Sequence, residues 1–457
     1  RAGKAAAGTG TAAATVAPGR EASPASDDGA GAVVAGAAAD GHDAMIVRET
    51  LPNGVRLVTE AMPEAQSASV GLWIGIGTRD EPVDLAGASH FLEHLLFKGT
   101  PRHTALAIAE AFDAIGGEAN AFSTKEYTVV HGRVLAEDLE LCCDILSDMV
   151  VSPSIRADDV EAERRVVLEE IALRDDTPDD LVFDVFSEAV FGEHPLARPV
   201  LGTSESVASL TPSAVRGFHG SGYGAGNIVV AAAGALDHPR IAALVADLLP
   251  AGGQPVERRT EEARPGRALR LVPKDSEQVH IVLGGVGYSR EHPDRFAWEV
   301  LDVLLGGGMS SRLFQEIREQ RGMAYSVYSY RDLYQETGMY GVYVGTSPEN
   351  AAEVLKISEG ILDTLAADGP DEAEVVRAKG HLRGSLMLSL EDSANRMSRL
   401  GRSELMRGEV VTIDKLLARM GSVTVADVAR VAADLLRPEG RVLTIVGPVD
   451  EEDVPGW

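Results

Sequence analysis

Residues 87–100 read Gly-Ala-Ser-His-Phe-Leu-Glu-His-Leu-Leu-Phe-Lys-Gly-Thr, and they contain the pattern His-x-x-Glu-His. On a helix, His90 and His94 are four residues apart and Glu93 lies between them, so that two imidazoles and a carboxylate share one face. This is how two zinc ligands and a general base are presented to one metal ion. The stretch therefore predicts a metal-binding helix, which needs a third ligand elsewhere in the chain.

The same pattern also has a plainer interpretation. In a chain with 11 histidines and many glutamates, a chance occurrence would give a helix with solvated side chains and no metal. The motif alone leaves both interpretations open.

The composition limits the class of protein. A chain of 457 residues with 45% apolar and 25% charged residues has room for two globular domains. No apolar run is long enough to span a bilayer, which predicts that there is no membrane span. The net charge of -28 argues against nucleic acid as a partner and allows a preference for basic peptides, although an acidic solvated exterior is the favoured explanation of the charge.

The cysteines and the N-terminal segment bear on the compartment. Cys142 and Cys143 are adjacent on a predicted helix and point in different directions, so no structural disulfide is expected. The Ala-rich start is basic, as in a targeting peptide, yet it lacks the apolar core of a secretory signal. The sequence therefore predicts a cytoplasmic protein and leaves exported or organellar locations open.

The chain divides into four segments by composition. Residues 1–44 are rich in Ala and Gly and are predicted to be disordered, and residues 251–268 are predicted to be a linker. Residues 45–250 and 269–457 each show the order β-α-β-β-α-α-β, which indicates two similar domains. Because His-x-x-Glu-His occurs only in the first of them, that domain is predicted to bind the metal and the second is not.

Candidates for the third ligand lie on a helix predicted over residues 157–174. Glu163 and Glu170 are seven residues apart, and thus lie on one face of this helix two turns from each other. The alternative for any such glutamate is a solvated helix surface.

These motifs together resemble the inverted-zincin arrangement of the pitrilysin and insulysin family of metallopeptidases, and most closely its mitochondrial processing peptidase-like branch. Glu170 follows His94 by 76 residues, as the family's pattern requires. Other similar segments are Phe97–Thr100, Gly116–Ala121, Glu163–Glu170, and His194-Pro195 before Gly202-Thr203. The resemblance extends from about residue 46 to the end of the chain.

The resemblance implies one zinc ion per chain, bound by His90, His94 and Glu170. Glu163 matches the family's supporting carboxylate behind the ligands. Glu169 is the alternative ligand if the register is shifted by one residue.

The resemblance also makes Glu93 the general base, and the chemistry agrees. Zinc lowers the pKa of its bound water toward ~7, and an adjacent carboxylate can take the proton and pass it to the leaving amine. The expected activity is zinc-dependent endopeptidase action on unfolded peptides or precursor segments. The alternative is a catalytically inactive structural or partner-binding subunit of a peptidase-like complex.

Further positions follow from the same resemblance. Asn120 and Ala121 match an edge strand that holds the peptide by β-pairing, although an Asn in a turn after Gly-Gly is an alternative. Arg318 and Tyr325 match a pair that acts near the substrate carbonyl, although the residues alone favour a surface helix charge and a strand residue at the core edge.

The fold implied by the resemblance is α+β, with two structurally similar domains that each pack helices on a mostly antiparallel sheet. Two such domains form half of the family's chamber. We therefore expect a homodimer or a heterodimer with a paralogue, in which Arg318 and Tyr325 act on the partner's zinc site.

Overall fold

The computed structural model describes residues 45–258, 260, 263, 268–450 and 457. These residues form two sheets with helices packed against them, which confirms the predicted α+β class. The segment predicted to be disordered, 1–44, lies outside the described residues, and so does part of the predicted linker 251–268. Among the helices described here, none is both long and apolar enough to cross a membrane.

The first half opens with three strands and continues with the helix that carries His-x-x-Glu-His. Its elements are β1 (Ile46–Thr50), β2 (Arg56–Ala61), β3 (Ser67–Ile74), α1 (Ala88–Leu96), α2 (Ala105–Ile115), β4 (Glu118–Ser123), β5 (Thr128–Leu135), α3 (Leu139–Val151), α4 (Ala157–Asp176), α5 (Pro178–Phe191), α6 (Ser204–Ser209), α7 (Pro212–Gly222), β6 (Ile228–Gly234) and α8 (His238–Leu248). Capping residues determine where the helices begin and end, as in α2. Thr104 caps it by accepting a hydrogen bond from the Ala107 N–H at 3.1 Å, and Gly116, with φ of 61°, ends it.

The second half repeats this order with shorter connections. Its elements are β7 (Leu269–Pro273), β8 (Val279–Gly287), α9 (Arg295–Leu305), β9 (Ala324–Leu333), β10 (Gly338–Thr346), α10 (Ala351–Asp368), α11 (Glu372–Ser389), α12 (Ser393–Arg407), α13 (Ile413–Ser422), α14 (Val425–Leu435) and β11 (Arg441–Gly447). A π-helical segment, Phe314–Glu319, precedes β9 at the place in the order that α2 has before β4.

The two sheets have the same topology. The first has the order β1-β2-β6-β3-β5-β4 and the second the order β7-β11-β8-β10-β9, so that within the described part of the chain only β1 lacks a counterpart. In each sheet one pair is parallel, β2 with β6 and β7 with β11, and the other neighbours are antiparallel. This confirms the expectation of two similar, mostly antiparallel domains.

Two helices cross between the halves. Helix α5 of the first half packs on β8 and β11 of the second sheet, where Phe186 and Val190 are fully buried. Helix α12 of the second half packs on β2, β3 and β6 of the first sheet, with Met397 and Leu400 beside Trp73. Each sheet is therefore covered on one face by a helix from the other half. The two predicted domain ranges divide the sequence at the linker, but the packing crosses that division.

Candidate metal centre

Helix α1 is fixed in place by its first residue and by its apolar side. It begins at Gly87 with φ of 90°, and a Cβ atom there would lie 2.7 Å from the Leu201 carbonyl oxygen, so only glycine fits. Phe91 and Leu92 on the apolar side are fully buried in the core of the first half. Because burial fixes that side of the helix, Glu93 and the two histidines of the motif project from the other side.

Helix α4 packs against α1 and supplies carboxylates to it. Val160 and Val167 are buried on the core side of α4. Glu163 and Glu170 both reach the histidines of α1, as their spacing of seven residues predicts, and Glu163 is buried. Glu169 is exposed, so the structure brings Glu170 and not this neighbour to the histidines.

The three predicted ligands converge on one point. Single ligand atoms of His90, His94 and Glu170 all lie within 4.8 Å of one another. The Glu170 Oε2 atom is 3.7 Å from His90 Nε2 and 3.6 Å from His94 Nε2. Two ligands of one tetrahedral zinc ion stand roughly 3.4 Å apart when each is about 2 Å from the metal. The spacing thus leaves room for one ion between the three atoms.

The hydrogen bonding of Glu170 gives an independent test of this fit. Its Oε2 atom is buried and has no hydrogen-bond partner among the described residues. A buried carboxylate oxygen without a donor is costly, and a cation bound at that oxygen removes the cost. The residues therefore fit a zinc ion both in their spacing and in their unsatisfied oxygen.

Glu163 orients one of the histidines. Its Oε2 atom lies 3.1 Å from His94 Nδ1, and its Oε1 atom lies 2.7 Å from Lys98 Nζ. With Nδ1 engaged, His94 turns Nε2 toward Glu170, which is the arrangement that outer carboxylates give to metal-binding histidines. Sequence reasoning assigned no role to Lys98, although its position four residues after His94 in a helical motif was the available signal.

Glu93 lies beside the ligands and is half-buried. Its carboxylate is hydrogen-bonded to Ser123 of β4, and its Oε2 atom has no partner. Burial raises the pKa of Glu93, while the hydrogen bonds from Ser123 and the nearby His94 oppose the rise. A carboxylate with a raised pKa accepts a proton more readily, as a general base must. Ser123 was not predicted, because its contact depends on how the β4–β5 hairpin meets α1.

The two histidines have different electrostatic surroundings. Burial and the neighbouring His94 lower the pKa of His90 to about 3, so its ring is neutral at physiological pH. Burial also acts against protonation of His94, but the hydrogen bond with Glu163 and the charge of Glu170 raise its pKa. Neutral imidazole is the form that binds a metal, and binding at His94 therefore competes with a proton.

The predicted substrate positions lie on the outermost strand of the first sheet. Asn120 and Ala121 are on β4, which pairs with β5 on one side only and packs against α1. Asn120 is exposed, and its Oδ1 atom accepts a hydrogen bond from the Ala121 N–H at 2.9 Å. The structure thus puts an edge strand next to the metal centre, where a turn was the alternative.

Arg318 and Tyr325 meet each other in the second half. Arg318 Nη1 donates a hydrogen bond to the Tyr325 carbonyl oxygen at 2.8 Å, and its guanidinium stacks on the Tyr325 ring at 4.5 Å. Arg318 also stacks on Phe314 at 4.8 Å, and Tyr325 is 77% exposed. The pair is therefore preassembled on the surface of the second half, whereas the predicted metal ligands lie on α1 and α4 of the first half.

A helix with His-x-x-Glu-His that faces a glutamate on a second helix is typical of inverted zincins. Residues 56–204 match the family described as Insulinase (Peptidase family M16), and residues 209–382 match the Peptidase M16 inactive domain. This chain belongs to peptidase family M16. The expected family is thereby confirmed, whereas the closer relation to the processing peptidase-like branch stays a prediction.

Relatives agree with this assignment, and solved structures show a similar fold. An uncharacterized zinc protease of Mycobacterium tuberculosis is 49% identical over 395 residues, covering 85% of this chain and 90% of that protein. The uncharacterized zinc protease YmxG of Bacillus subtilis is 38% identical over 410 residues, which cover 88% of this chain and 98% of that protein. The fold is similar to that of a peptidase M16 inactive domain from Pseudomonas fluorescens, with a TM-score of 0.83 and 23% identity, covering 89% of this chain and 98% of that one. The fold is also similar to that of a protease from Helicobacter pylori, with a TM-score of 0.82 and 21% identity, covering 88% of this chain and 99% of that one.

Proposed function

We propose that this chain is a zinc endopeptidase that hydrolyses peptide bonds in unfolded peptides or precursor segments. The observation that carries the proposal is the convergence of His90, His94 and Glu170, whose ligand atoms lie within 4.8 Å of one another. The half-buried Glu93 beside them supplies the base. Relatives that are named zinc proteases add support. One zinc ion per chain, in the 45–250 domain, accounts for these residues.

The catalytic steps follow from the placement of the side chains. A bound zinc ion would polarise the scissile carbonyl and make the attacking water more acidic. Glu93 takes a proton from that water while the water oxygen attacks the carbonyl carbon. Glu93 later gives the proton to the amine nitrogen when the C–N bond breaks. Glu163 holds His94 by Nδ1 throughout, so that Nε2 keeps its orientation.

The substrate binds as an added strand along β4. The free edge of β4 at Asn120 and Ala121 offers backbone groups to an extended peptide, and such pairing gives affinity with little dependence on sequence. The net charge of -28 adds a preference for basic peptides.

A second chain completes the site. Arg318 and Tyr325 stabilise the developing oxyanion in the zinc site of a partner, which is another copy or a paralogue. Mixing a Glu93→Gln protomer with a protomer that carries Arg318→Ala and Tyr325→Phe tests this arrangement. We expect the mixture to be more active than either parent, and a mixture without this gain contradicts action in trans.

Zinc analysis combined with a fluorogenic peptide assay tests the function itself. We expect stoichiometric zinc, cleavage that a chelator stops, and loss of cleavage in Glu93→Gln. Protein that is purified without chelators and contains no zinc would favour the alternative, a structural or partner-binding subunit. Mass spectrometry of products from a peptide library then reports the cleavage specificity and the length limits.

A further inference from the structure

The first turn of α1 receives its cap from Glu81, six residues before Gly87. The Glu81 Oε2 atom accepts a hydrogen bond from the Gly87 N–H at 2.7 Å, and Oε1 accepts one from the Ser89 N–H at 2.6 Å. The N–H groups at a helix start have no acceptors within the helix, and glycine has no side chain to supply one. A carboxylate at this end also interacts favourably with the helix dipole.

Glu81 is itself held in place. It is 4% exposed, and its backbone carbonyl accepts a hydrogen bond from Arg198 Nη1 at 2.7 Å. Burial raises the pKa of Glu81 to about 7, against the hydrogen bonds from Ser89 and Gly87 and the charge of Arg198. At pH 8 the charged form therefore predominates, and both oxygens accept hydrogen bonds.

The segment just before this carboxylate is ion-paired to both halves of the molecule. Asp80 pairs with Arg258 at 2.9 Å, and Arg79 pairs with Glu126 at 2.8 Å. Arg79 also pairs with Glu336, which lies on the turn between β9 and β10 in the second half. These contacts are largely buried, so the segment that positions the capping carboxylate has little freedom to move.

We propose that Glu81 is a positioning residue of the metal helix, which fixes the first turn of α1 and with it the place of His90. The inference rests on the proposed function, because it takes His90 as a zinc ligand. His90 follows Ser89 directly in the capped turn, whereas His94 lies one turn later and is also held by Glu163. Loss of the cap therefore displaces His90 more than the other histidine.

Two variants and a matched control test this role. Glu81→Ala removes both acceptors, while Glu81→Gln keeps one acceptor oxygen and leaves one N–H without a partner. The control is Asp392→Ala, because the Asp392 Oδ1 atom accepts hydrogen bonds from the Ala394 and Asn395 N–H groups at 2.8 and 3.1 Å. It thus removes the same kind of cap from α12, which carries no proposed ligand.

Zinc affinity of the metal-stripped full chain is measured at pH 8 by competition with a chromophoric chelator. We expect Glu81→Ala to lower the zinc affinity at least about tenfold, as does the loss of residues that orient the ligands at other zinc sites. The zinc affinity of Glu81→Gln should lie between those of Glu81→Ala and the wild type. Asp392→Ala should bind zinc like the wild type although its melting temperature falls. The visible absorption spectrum with cobalt(II) should change in Glu81→Ala and stay unchanged in the control.

Wild-type zinc affinity and an unchanged cobalt spectrum in Glu81→Ala would overturn the inference and leave the proposed function intact. If Glu81→Ala does not fold, Glu81→Gln decides by the same two measurements. A wild-type chain that binds no zinc would instead overturn the proposed function, and this inference with it.

Discussion

Helices α1 and α9 occupy equivalent places in the two halves. Each follows the central strand of its sheet, β3 or β8, and each packs against the outermost strand, β4 or β9. Both carry acidic residues toward that strand. On α1, Glu93 is hydrogen-bonded to Ser123 of β4. On α9, Glu299 is 2.9 Å from Arg331 of β9, and both side chains are at most 5% exposed.

The two outermost strands carry different residues at an equivalent position. Ala121 and Arg331 each lie two residues before the end of their strands, which lead into hairpin turns of equal length. In the second half the arginine supplies a positive charge from within the chain. In the first half the alanine is buried in the apolar core, and β4 contains no Lys or Arg.

Buried carboxylates need a cation, and the two halves obtain it in different ways. In the second half an internal arginine pairs with the Oε1 atom of Glu299. The first half leaves the Glu170 Oε2 atom unsatisfied next to two histidines, which fits a cation taken from solution. One scaffold thus supports a metal centre or a structural ion pair, depending on which side chains face its helix.

The largest expected effect distinguishes Glu93 on α1 from a different acid on α9, Asp302. We expect Glu93→Gln to lower kcat/KM for a fluorogenic peptide by about two to four orders of magnitude, because it removes the proton acceptor. The Asp302→Asn variant of α9 should change kcat/KM by less than about twofold, because Asp302 accepts a hydrogen bond from Ser329 at 2.6 Å in the other half. Equal losses of kcat/KM in the two variants would contradict a catalytic role that is confined to the first half.

The ion pair of the second half should contribute to stability and not to zinc binding. Arg331→Met leaves Glu299 buried without its partner and should lower the free energy of unfolding by about 3–5 kcal/mol, measured by urea denaturation. Replacing both residues, with Glu299→Leu added, should recover most of that loss. Zinc content should stay the same in both variants. A fall in zinc content would mean that the two halves depend on each other more closely than their contacts indicate.

The support behind the ligands should have a smaller effect. Glu163→Gln weakens the hold on His94 Nδ1 and should lower zinc affinity by about 10- to 100-fold. The matched control is Glu169→Gln on the same helix, which is exposed and should leave the affinity unchanged. If the control lost more zinc than Glu163→Gln, the register of α4 assigned to the site would be wrong.

The sequence predicted those parts of the site that depend on spacing within one helix. His90 and His94 at four residues, and Glu163 and Glu170 at seven, place side chains on a shared face whatever the rest of the fold does. Strand and helix patterns likewise predicted two similar halves. The meeting of α1 with α4 was expected only through the family resemblance, since no local pattern specifies which helices pack together.

Contacts that depend on long-range packing were not predicted. Helix α12 was missed because its sequence is mostly polar, with an apolar stripe as narrow as Met397 and Leu400. The Glu299–Arg331 pair depends on the position of β9 against α9, and neither residue is unusual in its local sequence. Glu81 caps a helix across an intervening loop, whereas capping patterns in sequence concern adjacent residues.

The smallest expected effect concerns Lys98, which extends the chain of contacts from His94 through Glu163 toward the surface. The Lys98 side chain is 37% exposed, and exposed ion pairs contribute about 0.2–1 kcal/mol. Lys98→Met should therefore lower zinc affinity by at most about fivefold, and Lys98→Arg should keep it near the wild type, both measured by chelator competition. Glu163 keeps its hydrogen bond with His94 in either variant, so orientation of the ring does not depend on the lysine. A loss in Lys98→Met as large as in Glu163→Gln would show instead that the lysine fixes the carboxylate, and that the support of the metal centre extends to the protein surface.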